Sequence, residues 1–185
     1  MKKKVVLIGD SIRQIGYGTI LNQYLDSNEY DIWQSPDNDM FVKFTLRKIW
    51  DEKSEIENAD IVHWNNGLWD ICKIFDDGKP FSSLEEYIGN TLRVADFLLK
   101  HAKKVIFATT TPVNPNHPYN DNEIIIEFNN AVVPLLKEKG IIINDLFGLV
   151  YPHLDEYIAD DLIHLSEKGK IEAAKQVARI IKENC

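Results

Sequence analysis

The sequence is poor in cysteine and in positive charge, and both shortages narrow the possible functions. Its two cysteines, Cys72 and Cys185, lie far apart and form no CxxC pair. We therefore interpret them as reduced thiols in a cytoplasmic protein. The formal net charge is -8. Such an acidic chain argues against binding to nucleic-acid phosphates or to an anionic membrane surface.

Long hydrophobic runs are also missing. The basic residues 2–4 resemble the start of a signal peptide, but only four apolar residues follow before Gly9, and a secretory core needs roughly seven or more. No run approaches the roughly 18 apolar residues of a membrane span. We expect neither feature. The 185 residues, 44% of them hydrophobic, predict one domain over residues 1–185 with a sizeable core.

Predicted strands and helices alternate along the chain. Strands are expected at residues 4–9, 30–33, 59–64, 104–109 and 141–144. Helices are expected at residues 17–26, 41–50, 84–101, 123–139 and 167–182. This alternation is typical of βαβ units with right-handed crossovers. It predicts a single three-layer α/β/α domain built on a five-stranded parallel sheet.

Polar residues follow the carboxyl ends of three predicted strands. The triplet Gly9-Asp10-Ser11 ends the first strand, Asn65 and Asn66 follow the third, and threonines 109–111 follow the fourth. Ligands bind at this edge of open parallel sheets. We therefore expect the functional site there.

Several familiar motifs fail at single residues. A dinucleotide-binding GxGxxG would need glycine where Leu21 stands, and the P-loop pattern GxxxxGK[ST] is absent. A phosphotransferase of the haloacid dehalogenase kind would need aspartate at Ile12. A GxSxG nucleophile elbow fits Gly9 and Ser11 but meets Arg13 at its second glycine.

A nucleophilic serine at position 11 needs an imidazole to take its proton and an acceptor to orient that imidazole. Asp161 and His164, three residues apart before the last helix, form the best candidate pair. The alternative for His164 is an ordinary loop residue. Four other histidines fit less well, since they lie inside a strand, at a helix end or beside a proline: His63, His101, His117 and His153.

Acyl transfer also needs hydrogen-bond donors for the negative oxygen of the tetrahedral intermediate. The stretch HWNNGLWD follows the third predicted strand, and Asn65 or Asn66 could supply a side-chain amide. The alternative is a simple Asn-Asn-Gly turn.

The order of these motifs resembles the SGNH/GDSL hydrolase family of esterases and lipases over essentially the whole chain. The resemblance implies a flavodoxin-like sheet and no metal or cofactor. It implies that Ser11 is the nucleophile and an N–H donor to the oxyanion. It further implies that His164 is the base, Asp161 its orienting partner and Asn65 the oxyanion amide.

Three departures from the family pattern stand out. His63 replaces the third-block glycine, and Asn66 stands where the family usually has aspartate. The second-block glycine, whose N–H completes the oxyanion hole, is missing from QSPDNDMF. We expect Asn38 or Asp39 in its place, since either still has a backbone N–H. An acidic side chain there would oppose the developing oxyanion.

The expected substrate is a small-molecule ester. Trp64 and Trp69 flank Asn65 and could wall an acyl slot or stack on a sugar, although core packing is the alternative for each. Because residues 112–122 are polar, a short acyl group such as acetyl on a polar alcohol is favoured. The alternatives are a catalytically silent ligand-binding protein, or a thioesterase or lysophospholipase of the same fold. A receiver-type signalling domain is disfavoured, because this sequence has no aspartate for phosphorylation after the third predicted strand.

Overall fold

The computed structural model describes the whole chain, Met1–Cys185. Its centre is a five-stranded sheet: β1 (Lys3–Gly9), β2 (Tyr30–Gln34), β3 (Ile61–Asn65), β4 (Val105–Ala108) and β5 (Ile142–Asn144). All neighbouring strands pair in parallel, in the order β2-β1-β3-β4-β5. This is the flavodoxin-like order, so the predicted fold class is confirmed.

Helices connect the strands and cover the sheet. They are α1 (Val42–Asp51), α2 (Lys53–Ile56), α3 (Leu84–His101), α4 (Asn122–Glu138), α5 (Leu146–Val150), α6 (Leu154–Tyr157) and α7 (Glu167–Asn184). Helix α3 begins at a full capping box, in which Ser83 and Glu86 each bond the other's backbone N–H. Ser166 caps α7, since its side chain accepts a hydrogen bond from the Gly169 N–H.

The helix predicted for residues 17–26 is wrong. The chain there forms a π-helical turn (Ile12–Gly16) and two 3-10 turns, Tyr17–Thr19 and Leu21–Gln23. Gly16 breaks any regular helix because it adopts φ -100° and ψ -122°. Tyr17, Leu21 and Leu25 are nevertheless buried, so this irregular segment still contributes apolar side chains to the core.

The buried hydrophobic residues form one continuous core. It contains 42 buried hydrophobic residues from both faces of the sheet, and β3 is buried along its whole length. Cys72 and Cys185 are both free thiols. None of the helices combines the length and the apolar character that crossing a bilayer requires.

Candidate active site

Three predicted residues meet at the carboxyl edge of the sheet. The Nε2 atom of His164 lies 2.9 Å from the Oγ atom of Ser11. On its other side, Nδ1 of His164 lies 2.7 Å from Oδ2 of Asp161. The structure therefore forms a continuous hydrogen-bonded chain from the hydroxyl through the imidazole to the carboxylate, which is the arrangement that activates a serine.

The loop before α7 fixes the two partners of Ser11. An antiparallel bridge between Ile158 and Leu165 closes this loop, and Leu162 adopts a left-handed backbone with φ +70°. Inside it, Oδ1 of Asp161 accepts hydrogen bonds from the backbone N–H groups of Ile163 and His164. Asp161 is thus locked beside the imidazole.

The ionisation of Asp161 favours the tautomer that a base needs. Partial burial raises the pKa of this carboxyl, but the hydrogen bonds from the His164 backbone and ring together lower it by more. The pKa of Asp161 therefore lies below the ordinary value. The carboxylate remains ionised at neutral pH and can hold the proton on Nδ1. Nε2 is then left as an acceptor for the serine proton.

The turn that carries Ser11 requires a glycine before it. Gly9 adopts φ +136°, and a Cβ built there would lie 2.1 Å from Oδ1 of Asn65. Asp10 is buried, and its Oδ1 accepts from the Ile12 N–H at 2.9 Å and from Nδ2 of Asn65 at 2.6 Å. Burial raises the pKa of Asp10 to about 6. Gly9 and Asp10 therefore join the nucleophile turn to the end of β3.

Three candidate oxyanion donors lie on the segments that follow β1, β2 and β3. The backbone N–H groups of Ser11 and Asn38 donate to no acceptor within the protein. One amide hydrogen of Asn65 goes to Asp10, while its Oδ1 accepts from the Tyr17 hydroxyl at 3.2 Å. Since an amide has two N–H donors, Asn65 is held rigidly with one of them still free.

Asp39 was the other candidate for the missing glycine, and that prediction is wrong. Its N–H donates to the Gly9 carbonyl at 3.0 Å. Its side chain is fully buried and accepts from the Gly9 N–H at 2.6 Å and from the Ser35 hydroxyl at 3.3 Å. The carboxylate therefore fastens β1 to the loop after β2, and Asn38 is left as the residue that offers a free N–H.

The prediction that Trp64 lines the substrate site is also wrong. Trp64 is fully buried, packs edge-on against Phe107 with ring centroids 4.8 Å apart, and donates from Nε1 to Asn66. Trp69 does line the cleft, with 37% of its surface exposed. Strand β3 is covered on both faces, so Trp64 points into the core, whereas Trp69 lies in the loop beyond the strand.

Asn66 has a structural environment that differs from that of Asn65. It is fully buried and accepts hydrogen bonds from the Trp64 indole and the Thr45 hydroxyl. Its Nδ2 donates to the Met40 carbonyl at 2.8 Å. Asn66 therefore connects the loop after β3 to the start of α1.

Arg13 is a structural element of the site that the sequence analysis missed. This guanidinium is fully buried and donates to three backbone carbonyls, those of Gly9, Ser35 and Asp37. It also lies 3.7 Å from the Asp39 carboxylate. Arg13 thus ties the loop of Ser11 to the loop of Asn38. No local pattern signals a buried arginine, because its partners are backbone groups distant in sequence.

Ser11 and His164 face a cleft of about 470 Å³. Apolar residues line most of it: Ile15, Leu68, Trp69, Cys72, Ile74, Tyr119 and Ile163. A second, more polar cavity of about 440 Å³ adjoins it and shares His117, Tyr119 and Asn120. His117 therefore lies at the junction of the two cavities, a position that its sequence context did not indicate. No group of three or more potential metal ligands occurs in the structure.

Buried carboxyls around the site predict an unusual dependence of stability on pH. Burial raises the pKa of Asp10 and Asp39 to about 6 and that of Asp70 to about 7. Between pH 4 and 7 the folded protein then holds protons that the unfolded chain has released. The free energy of unfolding that these groups contribute should fall as pH rises through this window.

Urea denaturation at several pH values from 4.5 to 7.5 would measure this effect. Asp39→Asn keeps an oxygen for the Gly9 N–H but cannot ionise, so its stability should fall less steeply with pH than that of the wild type. Asp155→Asn, at an exposed aspartate, is the matched control and should keep the wild-type slope. Equal slopes for wild type and Asp39→Asn would contradict the proposed origin.

Comparisons with known proteins find similar chains among esterases and lipases. No protein-family model matches the chain. It is 27% identical over 153 residues to the GDSL esterase/lipase WDL1 of Oryza sativa subsp. japonica, covering 75% of this chain and 59% of that protein. It is 23% identical to the GDSL esterase/lipase CPRD49 of Arabidopsis thaliana, covering 98% of this chain and 80% of the relative. The chain thus spans about three fifths of the length of the rice relative.

Solved structures share the fold along nearly the whole chain. A lipase/acylhydrolase from Enterococcus faecalis superposes with a TM-score of 0.80 at 20% identity, covering 98% of this chain and 96% of that one. The acetylxylan esterase Axe2 from Geobacillus stearothermophilus gives 0.77 at 18% identity, covering 97% and 94%. The sheet topology, the ordered motifs and the sequence similarity together support the predicted resemblance to the SGNH/GDSL hydrolase family.

Proposed function

We propose that this protein is a carboxylic-ester hydrolase with Ser11 as nucleophile, His164 as general base and Asp161 as the group that orients the base. The observation that carries the proposal is the hydrogen-bonded chain from Ser11 Oγ through both nitrogens of His164 to Asp161. The names of the two plant relatives, both GDSL esterase/lipases, support the same activity.

The geometry supports a two-step acyl transfer. Nε2 of His164 takes the proton as Ser11 Oγ attacks the ester carbonyl, and the carbonyl oxygen becomes negative. The N–H groups of Ser11 and Asn38 and the free amide hydrogen of Asn65 would then donate to this oxygen. The protonated imidazole gives its proton to the departing alcohol. A water molecule, deprotonated by the same nitrogen, hydrolyses the acyl-enzyme.

The substrate has two parts that need separate sites. For the alcohol we propose a polar group, because the polar cavity beside His117 adjoins the cleft that holds Ser11. For the acyl group, the sequence favoured a short one such as acetyl, and one structural neighbour is named an acetylxylan esterase. The apolar lining of the main cleft favours a longer acyl group instead. A thioesterase or lysophospholipase activity would use the same acyl-enzyme.

The second candidate is a silent ligand-binding protein of the same fold, which the missing second-block glycine favoured. The free N–H of Asn38 weakens that argument, since the donor remains although the glycine does not. A silent protein would keep the pocket without a reactive serine. Reactivity of Ser11 therefore separates the two candidates.

A fluorophosphonate probe tests the proposed function directly. The folded wild-type protein should form one adduct, on the peptide that contains Ser11, because the probe reacts with serines activated by a base. Ser11→Ala should give none, whereas Ser27→Ala, at an exposed turn serine, should label like the wild type. Mass spectrometry locates the adduct. A wild-type protein that stays unlabelled would contradict the proposal and favour the silent ligand-binding protein.

A further inference from the structure

An exposed cluster of aromatic and aliphatic side chains continues outward from the catalytic cleft. We name this cluster the aromatic rim, and it consists of Phe41, Phe44, Trp69, Ile74, Phe75 and Phe81. Phe81 lies at its centre, with ring centroids 6.0 Å from Phe41, 5.8 Å from Trp69 and 5.5 Å from Phe75.

The exposed apolar side chains of the aromatic rim lie next to one another and are not scattered singly over the surface. Phe75 is 60% exposed and Ile74 is 42% exposed, and both lie beside the partly exposed Trp69 and Phe81. Single exposed apolar residues are normal, but contiguous apolar patches mark binding surfaces. The phenylalanine side chains carry no hydrogen-bonding groups, so the surface suits an apolar ligand.

The aromatic rim is continuous with the proposed catalytic site. Trp69 and Ile74 belong to the rim and also line the cleft that contains Ser11 and His164. Phe41 follows the loop of Asn38 within three residues. A ligand group held at Ser11 could therefore extend directly onto the rim.

The position of the base decides which half of an ester would lie on the rim. The departing oxygen must face Nε2 of His164 to receive its proton, so the alcohol lies on the side of the loop before α7. The rim is built from the segments after β2 and β3, which also carry the donors Asn38 and Asn65. The acyl group, which points away from the departing oxygen, is thus the half directed to the rim.

We propose that the aromatic rim is an acyl-binding subsite that accepts an unbranched apolar acyl group of about the length of octanoyl. This proposal rests on the proposed esterase function for its orientation. The cleft of about 470 Å³ falls in the range of sites that enclose ligands far larger than an acetyl group. The rim adds apolar surface beyond the cleft for the distal end of the chain.

The test compares p-nitrophenyl acetate with p-nitrophenyl octanoate, below the concentration at which the octanoate aggregates. The wild type should show kcat/KM at least about tenfold higher for the octanoate, since each methylene in an apolar pocket can contribute about tenfold or more. Phe75→Ala and Phe81→Ala should each lower the octanoate-to-acetate ratio by about tenfold. Trp50→Ala is the control, because Trp50 is 68% exposed, lies at the other end of α1 and should not change either rate.

A binding measurement separates failure of the subsite from failure of the esterase. Calorimetric titration of Ser11→Ala with methyl octanoate should show binding that methyl acetate does not, and adding Phe75→Ala should weaken it about tenfold. Chain-length-dependent binding without hydrolysis by the wild type would support the subsite and overturn the esterase. Hydrolysis with equal kcat/KM for both esters and no effect of Phe75→Ala would overturn the subsite alone.

Discussion

Replacing Ser11 by alanine is expected to lower kcat for p-nitrophenyl ester hydrolysis by about 10⁴-fold or more, with the fold unchanged. The substitution removes one hydroxyl, whose partner is Nε2 of His164, and leaves the backbone N–H of residue 11 in place. Serine and histidine act as a unit in such sites, so His164→Ala should cost nearly as much, and the double variant hardly more. Circular dichroism and thermal unfolding should show a native protein in each case.

The neighbouring aspartates provide a matched comparison for the third member of the chain. Asp161 contacts Nδ1 of His164, whereas Asp160 is exposed and makes no hydrogen bond through its side chain. Asp161→Asn should lower kcat by up to about 10⁴-fold, because an amide favours the wrong imidazole tautomer. Asp160→Asn should have no effect. Wild-type kcat in Ser11→Ala or His164→Ala would refute the assignment. A larger loss of kcat in Asp160→Asn than in Asp161→Asn would show that Asp160, and not Asp161, orients the imidazole.

The sequence carried most of the information about the architecture because buried parallel strands have a simple signature. The apolar run that ends in Gly9-Asp10-Ser11 could only be a strand covered on both faces, and it is buried from Val5 onward. The helix predicted for residues 84–101 coincides with α3, which begins at the capping box of Ser83 and Glu86. Once strands and helices alternate, topology rules bring the strand ends together, which places Ser11 and Asn65 at one edge of the sheet. The role expected of His164 came instead from the resemblance of the motif order to the SGNH/GDSL family.

The predictions for Trp64 and Asp39 were wrong because position along the chain does not determine the direction in which a side chain points. Trp64 and Trp69 were equivalent in sequence, but one lies in a strand that is buried on both faces and the other in an open loop. Asn38 and Asp39 were equally good replacements for a glycine. Only the pairing of Asp39 with both backbone groups of Gly9 distinguishes them. Such contacts join residues about 30 positions apart, and no local pattern encodes them.

The aromatic rim shows that substrate preference, too, is hard to predict from local sequence. The polarity of residues 112–122 favoured a polar substrate, but residues of the neighbouring loop after β3, among them Leu68, Trp69 and Ile74, line the cleft with apolar side chains. Phe41 follows β2, whereas Phe75 and Phe81 follow β3, and the contacts of Phe81 with the other two rings exist only after folding. The composition of residues 112–122 therefore indicated the polarity of that segment and not the apolar character of the other residues that line the cleft.

Two adjacent asparagines give the most discriminating test of the proposed oxyanion hole, because Asn65 is a proposed donor to the oxyanion whereas Asn66 only joins two loops. Asn65 keeps one amide hydrogen free, while its other hydrogen and its oxygen are held by Asp10 and Tyr17. Losing one such donor typically costs about 100- to 1,000-fold in kcat. Asn65→Ala should lower kcat by that factor and change KM little, because the negative oxygen exists only near the transition state.

Asn66→Ala is the matched control and should damage stability rather than chemistry. Removing the Asn66 amide leaves the buried Trp64 indole N–H without its acceptor and the Met40 carbonyl without its donor. An unsatisfied buried polar group costs about 1–3 kcal/mol, so the free energy of unfolding should fall by at least that amount. The kcat of the protein that remains folded should stay within about threefold of wild type, well short of the loss of one oxyanion donor. Steady-state kinetics and urea denaturation of both variants measure the two effects separately. A crippled kcat in Asn66→Ala with a silent Asn65→Ala would move the oxyanion donor by one residue. In that case the hydrogen bonds of Asn65 to Asp10 and Tyr17 would serve only to hold the end of β3.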